Sequence, residues 1–326
     1  MKSVLCKSHG SPDGLVLEEC QSPVAGTGEV VVSVHAAGLN FPDTLIVEGK
    51  YQTKPPLPFS PGSEFSGIVK EVGGGVEHIK VGDQVVGIVP FGAFSEECVV
   101  SAKRVVPKPA GMDFKTAAAF LLTYGTSYHA LCNRIRTAPG ETLLVLGAAG
   151  GVGLAAVEIG KVLGMRVIAC ASNNQKLTVC REHGADECIN YQEEDLRARL
   201  KDLTNGKGAD VVYDAVGGAM TETALRSLAW RGRLLIVGFA SGSIPQIPMN
   251  LPLLMEREIV GVHWGAWIDR EYKEFVTGAE ELGIWYAQGK IRPHISARYS
   301  MADVSLAMRD LLGRQVSGKL VIDLVA

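Results

Sequence analysis

Hydrophobic and polar positions follow two rhythms along the chain. Through the first third, short runs rich in β-branched residues (Glu29 to Val34, Gly67 to Val72, Gln84 to Val89, Ser95 to Val100) are punctuated by Gly and Pro every ten residues or so, the spacing of strands joined by turns. This stretch predicts an all-β barrel or sandwich. From Thr142 the rhythm becomes strand, helix, strand, helix. Extended runs at Thr142 to Leu146, Arg166 to Ala171, Glu187 to Asn190, Asp210 to Val216, Arg233 to Val237 and Glu258 to His263 alternate with helical patterns at Val152 to Leu163, Gln175 to His183, Glu193 to Leu203 and Thr221 to Ala229. Such alternation predicts a parallel sheet covered by helices on both faces. Val152, Ala155, Ala156, Ile159, Val162 and Leu163 fall on one helical stripe, so the first helix is expected to pack on that sheet.

After Trp264 the pattern changes to a long helix from about Asp269 to Gln288, a short extended piece, a helix from about Met301 to Leu312, and a closing strand Lys319 to Leu324. This tail fits neither a further βα unit nor a linker. Its simplest place is back in the β-rich part. The expected fold is therefore α/β, with a doubly wound parallel sheet (residues 123–265) inserted in the chain of a β-rich domain built from residues 1–122 and 266–326.

Composition adds limits. The chain has 326 residues, 47% hydrophobic and 21% charged, enough for two packed domains. Lys and Arg number 32 against 35 Asp and Glu, a net charge of −3, so a broad basic face for nucleic acid is not expected. Charges interrupt the segment Met1 to His9 before a secretory core can form. The longest uncharged stretch, Thr142 to Val157, carries Gly147, Gly150, Gly151 and Gly153 and falls short of the ~20 apolar residues of a spanning helix. No membrane segment is expected. Seven scattered cysteines without a C-x-x-C pair fit free thiols in a reducing compartment. The cytoplasm is the expected location, with mitochondria as the alternative.

One segment carries chemistry outright. The strand Leu143-Leu-Val-Leu146 runs into Gly147-Ala-Ala-Gly-Gly-Val-Gly153 and then into a helix. A pyrophosphate approaches backbone N–H groups at a helix N-terminus only where side chains are small or absent. Gly150 stands at the close-approach position and Gly153 at the helix-packing position, while Ala148 replaces the first Gly of the strictest G-x-G-x-x-G form. With a strand before, a helix after and a second strand at Arg166 to Ala171, this is a Rossmann-type dinucleotide signal. An NAD enzyme would hold an Asp or Glu at the end of that second strand. Here the residues are Ser172-Asn-Asn-Gln-Lys176, which offer hydroxyl, amide and ammonium donors to a 2′-phosphate. NADP(H) is favoured, although Lys176 taken alone reads equally well as a solvated residue opening a helix.

This plan is similar to that of the medium-chain dehydrogenase/reductase superfamily, whose zinc alcohol dehydrogenases place a Cys and a His as metal ligands in the first domain. At the matching positions this chain has Gly38-Leu-Asn40 and Gly62-Ser-Glu64. There is no cluster of four close cysteines, and His9, His35, His78, His129, His183, His263 and His294 show no ligand spacing. No metal is expected. The chain resembles the zinc-free quinone oxidoreductase (zeta-crystallin-like) branch over essentially its whole length. The motifs are Gly38-Leu-Asn-Phe-Pro-Asp43, Glu48-Gly-Lys-Tyr51, Pro61-Gly-Ser-Glu64, Val81-Gly-Asp83, Gly147 to Gly153, Ile189-Asn-Tyr191, Val212-Tyr-Asp-Ala-Val-Gly217, Gly238-Phe239 and Ser317-Gly-Lys319.

The resemblance implies a GroES-like catalytic domain, NADPH in a cleft between the domains, hydride transfer to a quinone or an α,β-unsaturated carbonyl (enone), and a homodimer. Carried over by position, Asn40 and Asp43 resemble residues at the nicotinamide end, and Gly150, Gly151 and Val152 resemble the pyrophosphate cradle. Ser172, Asn173, Lys176 and Tyr191 resemble the set around the 2′-phosphate and adenine. Gly238, Phe239 and Ala240 resemble the loop at the nicotinamide ribose, and Thr123, His263, Trp264, Gly265 and Arg314 join the cofactor set. Leu45 departs from the Tyr of some relatives. The plainer reading of Asp43 is a helix N-terminal residue after Pro42, without a catalytic role.

Tyr51 is the candidate proton donor, because a phenol can donate in a dry cleft and similar enoyl-thioester reductases use a Tyr at the end of the matching piece. A loop Tyr that merely packs is the competing view. Three activities remain open: an NADPH-dependent quinone or enone reductase, an enoyl-thioester reductase using Lys50 and Lys54 for its carrier's phosphates, and a nucleotide-binding protein with little turnover. The apolar run Glu258-Ile-Val-Gly-Val-His-Trp264 reads as a sheet edge that pairs with its twin, or as one covered by a helix.

Overall fold

A computed structural model describes residues 1–325. The chain divides into two compact units: the first holds Met1–Leu122, Trp267–Ala287 and the residues from Pro293 onward, and the second holds Thr123–Ala266 and Gln288–Arg292.

The second unit is built on six parallel strands in the order Glu187–Asn190, Arg166–Ala171, Thr142–Leu146, Ala209–Asp214, Leu228–Ile236, Glu258–Gly261. Chain order thus reads 3-2-1-4-5-6 across the sheet, the doubly wound arrangement whose crevice opens between the first and fourth strands. Thr142–Leu146 is buried at every residue, as expected of a parallel strand covered on both faces. Leu144, Leu146, Ile168, Val212 and Leu234 share one core cluster. The helix Gly151–Val162 is enclosed more completely than a single stripe requires: Leu154, Val157 and Glu158 are buried along with Ala155, Ala156 and Ile159. Glu158 is tolerated there because it is saturated with donors. Tyr124 Oη gives a hydrogen bond to Oε2 at 2.6 Å, the Arg292 backbone N–H gives a second at 2.9 Å, and His183 Nδ1 lies 2.7 Å from Oε1.

The first unit carries a mostly antiparallel sheet in the order Ile295–Ser300, Lys319–Asp323, Glu29–Leu39, Glu64–Val72, Gln84–Ile88, Val105–Pro107, with Glu97–Ser101 also pairing Glu29–Leu39. A separate hairpin joins Lys2–Cys6 to Leu15–Glu19. Val30, Val32, Val34, Phe65, Phe94 and Met308 lie in its core. The tail does return here: Lys319–Asp323 pairs antiparallel with Glu29–Leu39, Leu320 opposite Leu39.

Three expectations need correction. The first third is not all-β, because Phe41–Val47 and Phe114–Ala118 are helices. Asp113 caps the second of them with a carboxylate aimed at the Thr116 N–H, and Pro42 sits in the first turn of the other, where its missing N–H costs nothing. The returning tail is also interrupted, since Gln288–Arg292 belong to the second unit, held by the Glu158 bond to the Arg292 N–H. Finally, the helix Leu121–Tyr128 runs into a π-helical turn, His129–Asn133, in a stretch where the sequence reading placed no element.

Candidate functional site

In the second unit, every candidate cofactor residue except Thr123 follows the carboxyl end of a parallel strand. The loop after Thr142–Leu146 makes a tight turn, with Gly147 at φ +66° and the Gly150 N–H bonded to the Gly147 carbonyl at 3.0 Å. The helix then starts at Gly151 with Gly150 as its cap. The first N–H groups of a helix have no intrahelical partner, so those of Gly151, Val152 and Gly153 open this end of the sheet as an anion cradle.

The glycines divide the work. A Cβ on Gly153 would lie 2.3 Å from the Gly147 carbonyl oxygen and 2.8 Å from Ala148 Cα, whereas one on Gly150 would meet nothing nearer than 3.4 Å. Gly153 is therefore required by helix–loop packing, and the bare Gly150, which is exposed, leaves space for a ligand.

Ser172 and Asn173 follow Arg166–Ala171, and Tyr191 follows Glu187–Asn190. The Asn173 side-chain oxygen caps the next helix through the Lys176 N–H at 2.9 Å, leaving its amide NH₂ for other partners. Lys176 Nζ lies 3.4 Å from Ser172 Oγ. The residues that follow the strand are Ser172, Asn173 and Lys176 rather than an Asp or Glu, a set that suits a 2′-phosphate. Gly238, Phe239 and Ala240 follow Leu228–Ile236, and His263, Trp264 and Gly265 follow Glu258–Gly261.

Two residues are less open than the sequence implied. Thr123 is buried in the helix Leu121–Tyr128. Trp264 is buried against Gly125, where an added Cβ would come within 2.4 Å of its ring. One residue that the motif contains but that was given no role shapes the loop beside the cradle. Asp214 is buried; its Oδ1 accepts the N–H groups of Val216 and Gly217 at 2.8 and 2.9 Å, and Oδ2 accepts the Thr221 hydroxyl at 2.6 Å.

Two candidates of the first unit, Asn40 and Asp43, stand at the start of the helix Phe41–Val47. Asn40 is its cap, and its backbone N–H donates to Asp43 Oδ2 at 2.8 Å. Behind Asn40 lies a buried ion pair, Lys319 with Glu64 at 3.0 Å. Lys319 Nζ also donates to the Leu39 carbonyl at 3.0 Å and to Asn40 Oδ1 at 2.5 Å, and Glu64 accepts the Leu122 N–H at 2.8 Å and the Asn40 amide at 3.3 Å. A buried pair survives only when its remaining lone pairs and protons are satisfied, and here they are. Glu64 and Lys319 each stand in a motif, but no sequence pattern pairs residues 255 positions apart.

Asp43 is fully buried. Burial pushes its carboxyl up to about 7 against the Ser63 hydroxyl, the Asn40 N–H and the Lys319 ammonium, with Glu64 adding to the rise. The Tyr51 phenol is pushed up by burial and by the charge of Asp43. Arg314 lies outside this group's chain segments, exposed in the turn after the helix Val304–Leu312 with φ +55°. At the positions where zinc dehydrogenases carry Cys and His, Asn40 and Ser63 offer only neutral amide and hydroxyl groups, a poor set for zinc. Among the described residues no group of three or more His, Cys, Asp or Glu is placed to hold a metal ion, and no helix is long and apolar enough to cross a membrane.

Residues 26–110 match the family described as "Alcohol dehydrogenase GroES-like domain", and residues 151–281 the one described as "Zinc-binding dehydrogenase". A quinone oxidoreductase-like protein 2 homolog of Nematostella vectensis is 40% identical over 99% of this chain and 88% of its own length. The quinone oxidoreductase of Pseudomonas aeruginosa is 37% identical over 98% of this chain and 99% of its own. Among solved structures, Escherichia coli quinone oxidoreductase complexed with NADPH superposes with a TM-score of 0.94 at 33% identity, covering 99% of this chain and 100% of that one. The chain is thus an oxidoreductase, and it belongs to the quinone oxidoreductase branch of the medium-chain dehydrogenase/reductase superfamily.

Proposed function

We propose that the protein is an NADPH-dependent reductase of quinones and enones that works without a metal. The observation that carries this reading is the cradle at the carboxyl ends of the parallel strands: bare helix N–H groups after Gly150, and, one strand over, Ser172, Asn173 and Lys176 where a carboxylate would select NAD. The NADPH held by the Escherichia coli relative supports the same choice.

NADPH bound there supplies a hydride. The chain's own task is to hold the acceptor, keep water out and deliver a proton to the oxygen that gains negative charge. Tyr51 is assigned the proton, because a phenol that burial keeps un-ionised stays protonated in the neutral range. Asn40, fixed by Lys319 and Glu64, caps the helix Phe41–Val47 that precedes Tyr51.

The enoyl-thioester reading loses support at Lys50. That ammonium pairs with Glu48 at 2.9 Å, in an open groove of about 510 Å³ whose other charges, Asp13 and Arg309, also pair with each other. A carrier's phosphates would have to break those pairs.

We further infer a homodimer through the edge strand Glu258–Gly261, and a reducing, cytoplasmic setting in keeping with seven free cysteines. Titration calorimetry with NADPH and NADH, followed by oxidation of NADPH with a quinone, an enone and an enoyl-CoA, tests the reading. Tight binding of NADPH alone, with turnover on the first two acceptors, is the expected result. A preference for NADH, or binding without oxidation by any acceptor, would overturn it.

A further inference from the structure

We propose that His183 and Glu158 are positioning residues for cofactor choice: their hydrogen bond sets the helix Asn174–Glu182 against the helix Gly151–Val162 and so places the donors that recognise a 2′-phosphate. The inference rests on the reading of Ser172, Asn173 and Lys176 as those donors.

The two helices follow neighbouring strands of one sheet. Gly151–Val162 offers its first N–H groups to a pyrophosphate, which NADPH and NADH share. Asn174–Glu182 opens with Asn173 as its cap and carries Lys176 in its first turn, the residues assigned to the one phosphate that only NADPH has. Affinity for either dinucleotide follows the first helix. Preference for the phosphorylated one depends on where the second helix lies relative to the first.

Apolar packing holds the second helix lightly. Of its nine residues only Leu177 and Cys180 are buried, whereas eight of twelve are buried in the first. Its far end is fastened by polar bonds instead. His183, directly after the helix, brings Nδ1 to 2.7 Å from Glu158 Oε1. The imidazole is 9% exposed and the carboxyl 4%, so water competes little for this bond. Glu158 is itself held still, because Oε2 accepts the Tyr124 hydroxyl at 2.6 Å and the Arg292 N–H at 2.9 Å. Arg292 closes the clamp: its guanidinium donates to the Glu182 carbonyl at 3.2 Å, one residue before His183. A further link, Lys161 with Asp186 at 2.7 Å, has both side chains 37% exposed and contributes little.

A carboxylate only accepts, so the imidazole donates from Nδ1. Without the imidazole, Oε1 is left buried and without its donor, which is costly. The lightly packed helix is the part that can shift to let water reach that oxygen. Such a shift carries Asn173 and Lys176 away from the 2′-phosphate and leaves Gly150 to Gly153 in place.

Calorimetry on the full-length protein tests the proposal, with NADPH, NADH and adenosine 2′,5′-bisphosphate as ligands and Tm measured alongside. The bisphosphate carries the 2′-phosphate without the nicotinamide. The wild type should prefer NADPH to NADH. His183→Ala should weaken NADPH and the bisphosphate about tenfold and leave NADH within about twofold. His183→Asn, whose amide nitrogen replaces Nδ1, should restore most of the preference. Arg292→Ala keeps its backbone N–H on Glu158 but loses the grip on Glu182, and should lower the preference about threefold. Equal losses for NADPH and NADH in His183→Ala, a fall in its Tm with the preference unchanged, or a preference as low in His183→Asn as in His183→Ala would overturn the proposal. If His183→Ala does not fold, Arg292→Ala at its exposed position decides, and an unchanged preference there overturns it. A wild type without preference for NADPH would instead overturn the reading of Ser172, Asn173 and Lys176, and this inference with it.

Discussion

At the residue scale, Asp43 links chemistry to folding. An unfolded Asp titrates near 3.9, whereas the buried one titrates at about 7. Between those values the folded chain keeps a proton that the unfolded chain has lost. The group's contribution to stability is therefore fully present below about pH 4 and is lost as pH rises through about 7, a loss on the order of 4 kcal/mol at most. Asp43→Asn cannot titrate, so the urea midpoint of the variant should gain on that of the wild type as pH rises from about 4 to 8. A constant difference between the two across that range would show that the carboxyl is charged throughout. Asp113 works in the opposite sense: hydrogen bonds from Thr116 and Lys115 outweigh its desolvation and hold it below the usual carboxylate range, so its contribution is present at neutral pH and lost in acid.

At the scale of the element, the glycine loop separates structural need from ligand need. Gly153→Ala places a methyl 2.3 Å from a backbone carbonyl and should lower stability by about 1–3 kcal/mol, read as a fall in Tm. Gly150→Ala has an ordinary φ of −77° and room for its methyl. It should leave folding stability within about 1 kcal/mol while weakening NADPH binding in calorimetry. Equal effects of the two on binding and on Tm would contradict the division. The same loop marks what sequence could tell. Thr142–Leu146 and Arg166–Ala171 were legible to the residue, because strands buried on both faces read as apolar runs closed by Gly or Ser, whereas the half-buried edge strand Glu187–Asn190 was legible by its place in the strand–helix alternation. The helix Phe41–Val47 was legible only as a possible setting for Asp43 after Pro42. The turn His129–Asn133 was hidden because no residue in it marks a break from the helix Leu121–Tyr128 that it continues. The Lys319–Glu64–Asn40 cluster and the Arg292–Glu158 bond were not legible at all, since no periodicity connects positions so far apart in the chain. The motifs held the right residues, but the contacts that give them roles are made by tertiary structure.

At the scale of the whole molecule, the six-stranded sheet ends at Glu258–Gly261, where Ile259 is 41% exposed, and the preceding segment leaves Met249, Leu253 and Leu254 in solvent. An unpaired apolar edge invites pairing, so light scattering should report a dimer at micromolar concentration and Ile259→Lys a monomer. A wild-type monomer would reject the edge as an interface. The strand that completes the other sheet has a different consequence. Lys319–Asp323 lies between Glu29–Leu39 and Ile295–Ser300, so during synthesis an inner strand of that sheet emerges after the whole of the other unit. The nucleotide-binding unit is nearly complete by then, while Glu64 has no buried cation until Lys319 emerges. A nascent chain would thus complete its cofactor half before this sheet, and loss of the strand Lys319–Asp323 would leave Glu64 and Asn40 without the buried ammonium they share.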